Sequence, residues 1–239
     1  MLKWMRLEFK KHKINTYVHA SVIIAIVLFI LVFLFAYIPT IDNDSEMQIF
    51  RDYHNLLMVC GVLSLVSFSI LSSVMYCKFI IQEYGSNRIY MLFSYPVHRG
   101  KILFSKVLSV FLFIIVAVFM CNTTVFTVFA FTESFFSLME DAFTVELILK
   151  TIQVSIVMAV IAATIGVIAM GLGYIKKSVP TTIVSAMLLS SLFSNIASIN
   201  ISNAASMNMF LIIFMGVTIA AGSITTIMLI KKVDRMEAQ

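Results

Sequence analysis

Charged residues are scarce in this 239-residue chain, because Asp, Glu, Lys and Arg make up 12% of it and hydrophobic residues 61%. Soluble domains contain about 25% charged and about 45–50% apolar residues. The apolar runs are also much longer than the roughly 9–11 residues that cross a membrane as one strand of a barrel. The composition excludes an ordinary soluble protein and predicts one all-α integral membrane domain over residues 1–239.

The sequence lacks the common motifs of phosphate, metal and nucleophile chemistry. It contains no G-x-x-x-x-G-K-[ST], no H-E-x-x-H and no G-x-S-x-G. The three cysteines show no C-x-x-C spacing and the four histidines are scattered, so we expect packing thiols and interfacial imidazoles. We predict no catalytic residue, no metal site and no cofactor bound by this chain.

Six apolar runs are predicted to cross the membrane, and spans of about 20 residues each leave no room for a soluble enzymatic domain. The first run is too long for the core of a cleavable signal peptide and has no A-x-A-like site after it, so no such peptide is expected. Pro39 is expected to end the first span. The predicted spans cover about residues 17–38, 55–81, 102–131, 145–174, 181–192 and 209–230.

The lysines and arginines predict the orientation. With six spans, all of the 17 except Arg51 and Lys150 fall on one side. Cytoplasmic loops carry the excess of basic residues, so both termini are predicted to be cytoplasmic. Because the basic residues that give the net charge of +5 collect on one side, their distribution favours membrane lipid rather than nucleic acid as the partner.

Residues 1–16 are predicted to form an interfacial amphipathic helix. Trp4 falls on its apolar side, whereas Lys3, Arg6 and Lys10 gather on the other side. This pattern is typical of a helix in the headgroup plane, with the tryptophan as anchor and the basic residues on anionic lipid. The alternative is a disordered basic leader.

No acidic or basic residue occupies the middle of any predicted span, although pumps and proton-coupled carriers usually need such groups. The polar residues at depth are uncharged and include Asn122, Thr123, Thr127 and Gln153. They either form hydrogen bonds between helices or line a route for an amphipathic cargo. The chain is not expected to supply its own energy for transport.

Pairs of small residues predict where helices pack closely. Small residues four apart allow close approach of helices, within this chain or to a second copy: Ala159 with Ala163, Ala162 with Gly166, and Gly216 with Ala220.

Residues 193–208 are uncharged and rich in small polar side chains. We expect this extracellular segment either to dip back into the membrane under cover of protein or to be a surface loop.

The longest polar interruption is residues 82–106, QEYGSNRIYMLFSYPVHRGKILFSK, of which residues 82–101 are predicted to form a cytoplasmic helical hairpin. Glu83 and Arg88 can present charge to a soluble partner, and Pro96 stops the helix that carries them. Arg99, Lys101 and Lys106 are expected to hold the start of the third span at the headgroups, or simply to mark topology.

The segment from Glu83 to Arg88, with Gly85 inside it, followed by Ser94-Tyr-Pro-Val-His-Arg99-Gly-Lys101, resembles the first cytoplasmic loop of ABC-2-type transporter permeases, a type V exporter-like family. In that family an acidic residue and a glycine precede a short helix, and a Pro-Val-x-Arg turn follows it. The six-span layout, with an N-terminal interfacial helix, is similar too. The departures are Ser86 and Asn87, where the family commonly has Thr, or Lys with Thr.

The resemblance implies the permease subunit of an ATP-driven exporter in a bacterial plasma membrane. Two separate ATPase subunits would bind ATP and Mg, and a second permease copy or a paralogue would complete the complex. The residues that would couple to the ATPase are Glu83, Gly85, Arg88, Pro96, Arg99 and Lys101. The 16 methionines and 21 phenylalanines favour an amphipathic cargo, with an antimicrobial-type peptide first and small drugs, lipids or ions as alternatives. A non-transport sensor or scaffold is the other class of function.

Overall fold

The computed structural model describes residues 14–41, 50, 52–85, 99–136, 145–200 and 204–235. Each of its six long helices is apolar and long enough to cross a membrane, which confirms the predicted all-helical six-span fold. The described residues include no strand. The helices are α1 (Asn15–Ile41), α2 (Tyr53–Tyr76), α3 (Arg99–Phe136), α4 (Val145–Lys176), α5 (Val179–Asn200) and α6 (Ala204–Arg235).

The helices extend beyond the predicted spans. The first candidate span ends at Pro39, as predicted, although α1 continues for two more residues to Ile41. Residues 193–200 continue α5, and residues 204–208 begin α6. Phe193 packs on Phe214 with ring centroids 4.7 Å apart, which joins the two helices there. That residues 193–208 dip back into the membrane stays a prediction.

The second span does not end as a regular α-helix. A π-helical segment, Cys77–Ile81, follows α2, and a helical turn, Gln82–Gly85, follows that segment. The Gln82 N–H donates to the Cys77 carbonyl five residues before it, which is the wide hydrogen bond of a π-helix. This segment leads into the predicted hairpin, and we call the end of the bundle where it lies the hairpin end.

A tight connection joins α4 to α5, also at the hairpin end. Lys177 has a left-handed backbone with a φ of 49°. The Ser178 N–H donates to the Gly173 carbonyl at 3.1 Å and the Lys177 N–H to the Tyr174 carbonyl at 3.3 Å. These two bonds form a Schellman motif, which ends α4 and reverses the chain into α5 within two residues.

Helix α4 is the centre of the bundle. It is the most buried of the six spans and packs against α2, α3, α5 and α6, while α1 packs against α2 and α3. The small residues Ala159, Ala162, Ala163 and Gly166 are buried, so their close packing is satisfied within this chain. Gly216 and Ala220 of α6 are instead exposed on the outside.

Candidate functional site

The base of the predicted hairpin is held to α3 by a buried ion pair. The Lys106 ammonium in α3 donates to the Glu83 carboxylate in the Gln82–Gly85 turn. Lys106 and Glu83 are 1% and 6% exposed. Both were expected at the surface, Glu83 facing a soluble partner and Lys106 at the headgroups. The structure instead turns both charged groups inward, toward each other.

A backbone carbonyl of the π-helical segment completes this contact. The Lys106 Nζ atom also donates to the Phe79 carbonyl oxygen at 3.2 Å. One helical turn before Phe79, the Tyr76 hydroxyl donates to the carbonyl of Val107 at 3.2 Å. Polar contacts therefore join the end of the second span to two successive residues of α3, and we call the group Tyr76, Phe79, Glu83, Lys106 and Val107 the hairpin clamp.

Two glycines of α4 allow close packing beside the hairpin clamp. A Cβ atom on Gly166 would lie 2.7 Å from the Cβ of Ser72 in α2. A Cβ atom on Gly173 would lie 2.8 Å from the Cβ of Thr182 and 2.9 Å from the Cδ1 of Ile81 in the π-helical segment. Real Cβ atoms essentially never approach other atoms within 3.0 Å. The end of the second span is thus enclosed by α3 on one side and by α4 and α5 on the other.

The other predicted coupling residues are only partly described. Gly85 is the last residue of the Gln82–Gly85 turn, and Arg99 and Lys101 belong to the first turn of α3. Arg88 and Pro96 lie outside the described residues, as do Trp4, Lys3, Arg6 and Lys10 of the predicted interfacial helix. Their roles stay predictions.

The polar residues predicted to line a route do not share one surface. Asn122 is buried, Thr123 is half-buried, and Thr127 and Gln153 are exposed. Thr123 and Thr127 donate to carbonyls of their own helix, at 2.7 Å to Phe119 and 3.0 Å to Thr124. Their hydroxyls are therefore satisfied without a neighbour, and a role along a route stays a prediction.

Two apolar grooves open on the outside of the bundle. The first, of about 250 Å³, lies between α3, α4 and α6, where Phe104 and Phe111 face Thr164, Ser223 and Thr226. The second, of about 390 Å³, lies between α1 and α3 and has Thr124 as its one polar side chain. Asn122, Thr123, Thr127 and Gln153 line neither groove. Both grooves could accept an apolar chain that carries a few hydrogen-bonding groups.

The outer face of α5 carries two polar side chains among apolar ones. Among the six candidate spans α5 has the lowest mean hydropathy, and little of it is buried. Ser191 and Asn195 are exposed one turn apart, and the Asn195 amide donates to the Ser191 carbonyl at 2.9 Å. By contrast, α1 is about as exposed but has the highest mean hydropathy. Polar side chains in lipid are costly, so the part of α5 around Ser191 and Asn195 suits protein or water better than lipid.

No cluster of metal ligands occurs among the residues that the structure describes. Cys60, Cys77 and Cys121 are free and buried, as expected of packing residues. The Cys77 thiol donates to the Val179 carbonyl at 3.7 Å, which ties the π-helical segment to the start of α5. The site is thus a set of packing and polar contacts between helices.

Comparison with known proteins agrees with the family resemblance seen in the sequence. The sequence profile of the family described as "ABC-2 family transporter protein" matches residues 4–190. The chain is also 22% identical over 235 residues to "Uncharacterized protein YcbO" of Bacillus subtilis (strain 168), covering 98% of this chain and 99% of that protein. No solved structure matches it.

Proposed function

Because the chain belongs to the ABC-2 family of transporter proteins, we propose that it is the membrane subunit of an ATP-driven exporter. In this proposal two separate ATPase subunits bind below the hairpin end and hydrolyse ATP with Mg. A second copy of the chain, or a paralogue, completes the membrane part. The cargo is an amphipathic molecule, with an antimicrobial-type peptide as the first candidate, exported or cleared from the membrane.

The observation that carries the proposal is the distribution of charge in the spans. Every charged residue of the six candidate spans lies near an end of its span. Ion-coupled carriers and pumps place such groups at depth, where they bind or relay ions. The one buried ion pair in the described residues, Glu83 with Lys106, lies at the hairpin end. This arrangement favours an energy source outside the membrane that acts through the hairpin.

The surfaces of the bundle support an amphipathic cargo. The groove between α3, α4 and α6 is lined by aromatic side chains and by Thr164, Ser223 and Thr226. These three hydroxyls donate to carbonyls of their own helices, so they offer a cargo hydrogen-bond acceptors only. The outer face of α5 offers Ser191 and Asn195. A route between two copies, lined by the part of α5 that carries Ser191 and Asn195, would accept a molecule with both apolar and hydrogen-bonding parts. A strongly charged solute would find no partner on these described surfaces.

The experiment first asks whether an adjacent reading frame encodes a P-loop ATPase, and then co-expresses that ATPase with this chain for purification and reconstitution in lipid vesicles. We expect a stable complex whose ATP hydrolysis is stimulated by cargo and which moves a labelled amphipathic peptide across the bilayer. The control complex carries a substitution of the P-loop lysine of the ATPase, which abolishes hydrolysis but not assembly. Stimulation by drugs, lipids or ions but not by peptides would replace the proposed cargo and keep the exporter.

A second outcome would change the class of function. If the chain co-purifies with a kinase or another signalling protein, and no ATPase binds it, the protein is a membrane sensor or scaffold. Absence of a P-loop ATPase from the native complex would overturn the proposed function.

A further inference from the structure

We propose that Lys106 is the positioning residue that makes the hairpin base and α3 move as one body. Its ammonium holds the Glu83 carboxylate and the Phe79 carbonyl together. The inference deepens the proposed function and rests on it, since coupling to an ATPase gives the movement its purpose. The contact that holds the hairpin base to α3 lies within this chain and does not depend on an ATPase.

Burial distinguishes Lys106 from a residue that only marks topology. It lies seven residues into α3, about 10 Å along the helix from Arg99 at about 1.5 Å per residue. A basic residue that interacts with headgroups extends its side chain to the interface, as exposed Lys78 can. Lys106 is 1% exposed instead. A buried ammonium is costly unless it is paired and hydrogen-bonded, so its partners determine its position.

Phe79 and Glu83, which both accept from Lys106, lie at different heights at the end of the second span. Phe79 belongs to the π-helical segment, and Glu83 lies in the turn after it. Because the Lys106 side chain binds at both heights, it resists rotation of the hairpin end of the second span about the axis of that span. It also resists separation of the second span from α3. The Tyr76 hydroxyl on the Val107 carbonyl adds a third contact, next to Lys106 along α3.

The π-helical segment explains why such a contact is needed. A wide turn is a local irregularity of the helix, and such turns are frequent at functional sites. A force on the hairpin could bend the second span at Cys77–Ile81 and be absorbed there. With Lys106 bound across the segment to Glu83, the same displacement moves α3. Removal of the ammonium should therefore uncouple the hairpin from α3 while leaving both helices in the membrane.

The first test uses the full chain without its partners. Spin labels are placed on exposed positions, at Gln82→Cys and Val116→Cys, in a chain whose native cysteines are replaced by alanine, in lipid nanodiscs. We expect one narrow distance distribution, which Lys106→Met broadens. Lys78→Met is the matched control, because Lys78 is exposed and only four residues before Gln82, and it should leave the distribution narrow. An equally narrow distribution in Lys106→Met would overturn the proposal.

The second test separates positioning from a merely structural role in the reconstituted complex. Lys106→Met removes the ammonium that pairs with a buried carboxylate, so that variant alone could lose activity by misfolding. The double variant Glu83→Gln with Lys106→Met removes both charges and should recover thermal stability. We expect it still to hydrolyse ATP while the cargo moved per ATP falls about tenfold. Lys106→Arg, which keeps a charged donor, should retain most of the coupling.

The outcomes are distinguishable. If the double variant moves cargo as efficiently as the wild type, the ion pair serves stability only and the positioning role is wrong. If the wild-type complex hydrolyses no ATP, the proposed function fails, and the coupling role of Lys106 fails with it. The spin-label result would then still decide whether Lys106 holds the hairpin base to α3.

Discussion

Gly173 of α4 lies directly against Thr182 of α5, and a Cβ atom on Gly173 would approach the Thr182 Cβ to 2.8 Å. The same hypothetical atom would lie 2.9 Å from Ile81 in the π-helical segment. One small residue thus allows α5 and the end of the second span to pack against the central helix. Small residues at helix contacts in membranes serve this purpose, because van der Waals packing drives the association of spans.

Gly173→Ala should destabilise the bundle. The added methyl group must push α5 or the π-helical segment away, and overpacking of this kind costs about 1–3 kcal/mol. The measurement is the midpoint of thermal unfolding in detergent, followed by size-exclusion chromatography. Gly216→Ala is the control, because nothing lies within 4 Å of its hypothetical Cβ atom. A midpoint for Gly173→Ala equal to that of Gly216→Ala would contradict the described packing.

The contact of Gly166 with Ser72 can be tested by moving the Cβ atom from position 72 to position 166. Gly166→Ala alone should be destabilising, because its Cβ atom would lie 2.7 Å from that of Ser72. In the double variant Ser72→Gly with Gly166→Ala, the clash is relieved, because only one of the two positions then carries a Cβ atom. The double-mutant cycle should give a favourable coupling free energy of about 0.5–3 kcal/mol. Additive effects in thermal unfolding would show that the two residues do not touch.

Lys177→Gly should stabilise the connection between α4 and α5. Lys177 has a φ of 49°, a left-handed conformation that costs an ordinary residue about 1–2 kcal/mol and glycine almost nothing. The unfolded state of the glycine variant gains entropy, so the expected net gain is smaller, about 0.5–1 kcal/mol. Lys177→Ala removes the same charge without relieving the backbone, and it should not raise the unfolding midpoint. Equal midpoints for the two variants would show that the charge, not the backbone conformation, matters.

The orientation can be tested by labelling from one side of the membrane. Cysteines at Asp44 and Asp141 are expected to react with an impermeant thiol reagent added outside intact cells, whereas a cysteine at Arg88 should react only after permeabilisation. The prediction rests on the distribution of basic residues. The native cysteines are buried, so background labelling should be low. Labelling of Arg88→Cys but not Asp44→Cys in intact cells would reverse the topology.

The sequence could predict the number of spans and the family but not the partners of the charged residues. Glu83 and Lys106 are 23 residues apart with a long interruption between them, and each looks like a surface charge beside a span. Their pairing depends on how the second and third spans pack. The small-residue pairs show the same limit. Their spacing predicts close contact, but only the packed bundle shows that Ala159, Ala163 and Gly166 face this chain while Gly216 faces outward.

The sequence by itself determined features that can be read one stretch at a time. They are the lengths of the apolar runs, the end of the bundle at which the basic residues collect, the absence of charge in the middle of the spans, and the motif of the hairpin. The first three follow from local composition and its transfer energy between water and lipid, whereas the hairpin motif is identified by its resemblance to the ABC-2 family. What only the tertiary structure decided is which polar groups meet. Burial of Lys106 on Glu83, and of Gly166 against Ser72, requires residues that are far apart in sequence to approach within hydrogen-bond or van der Waals distance. Hydropathy places a residue at a depth in the membrane, but it does not say which neighbour covers that residue.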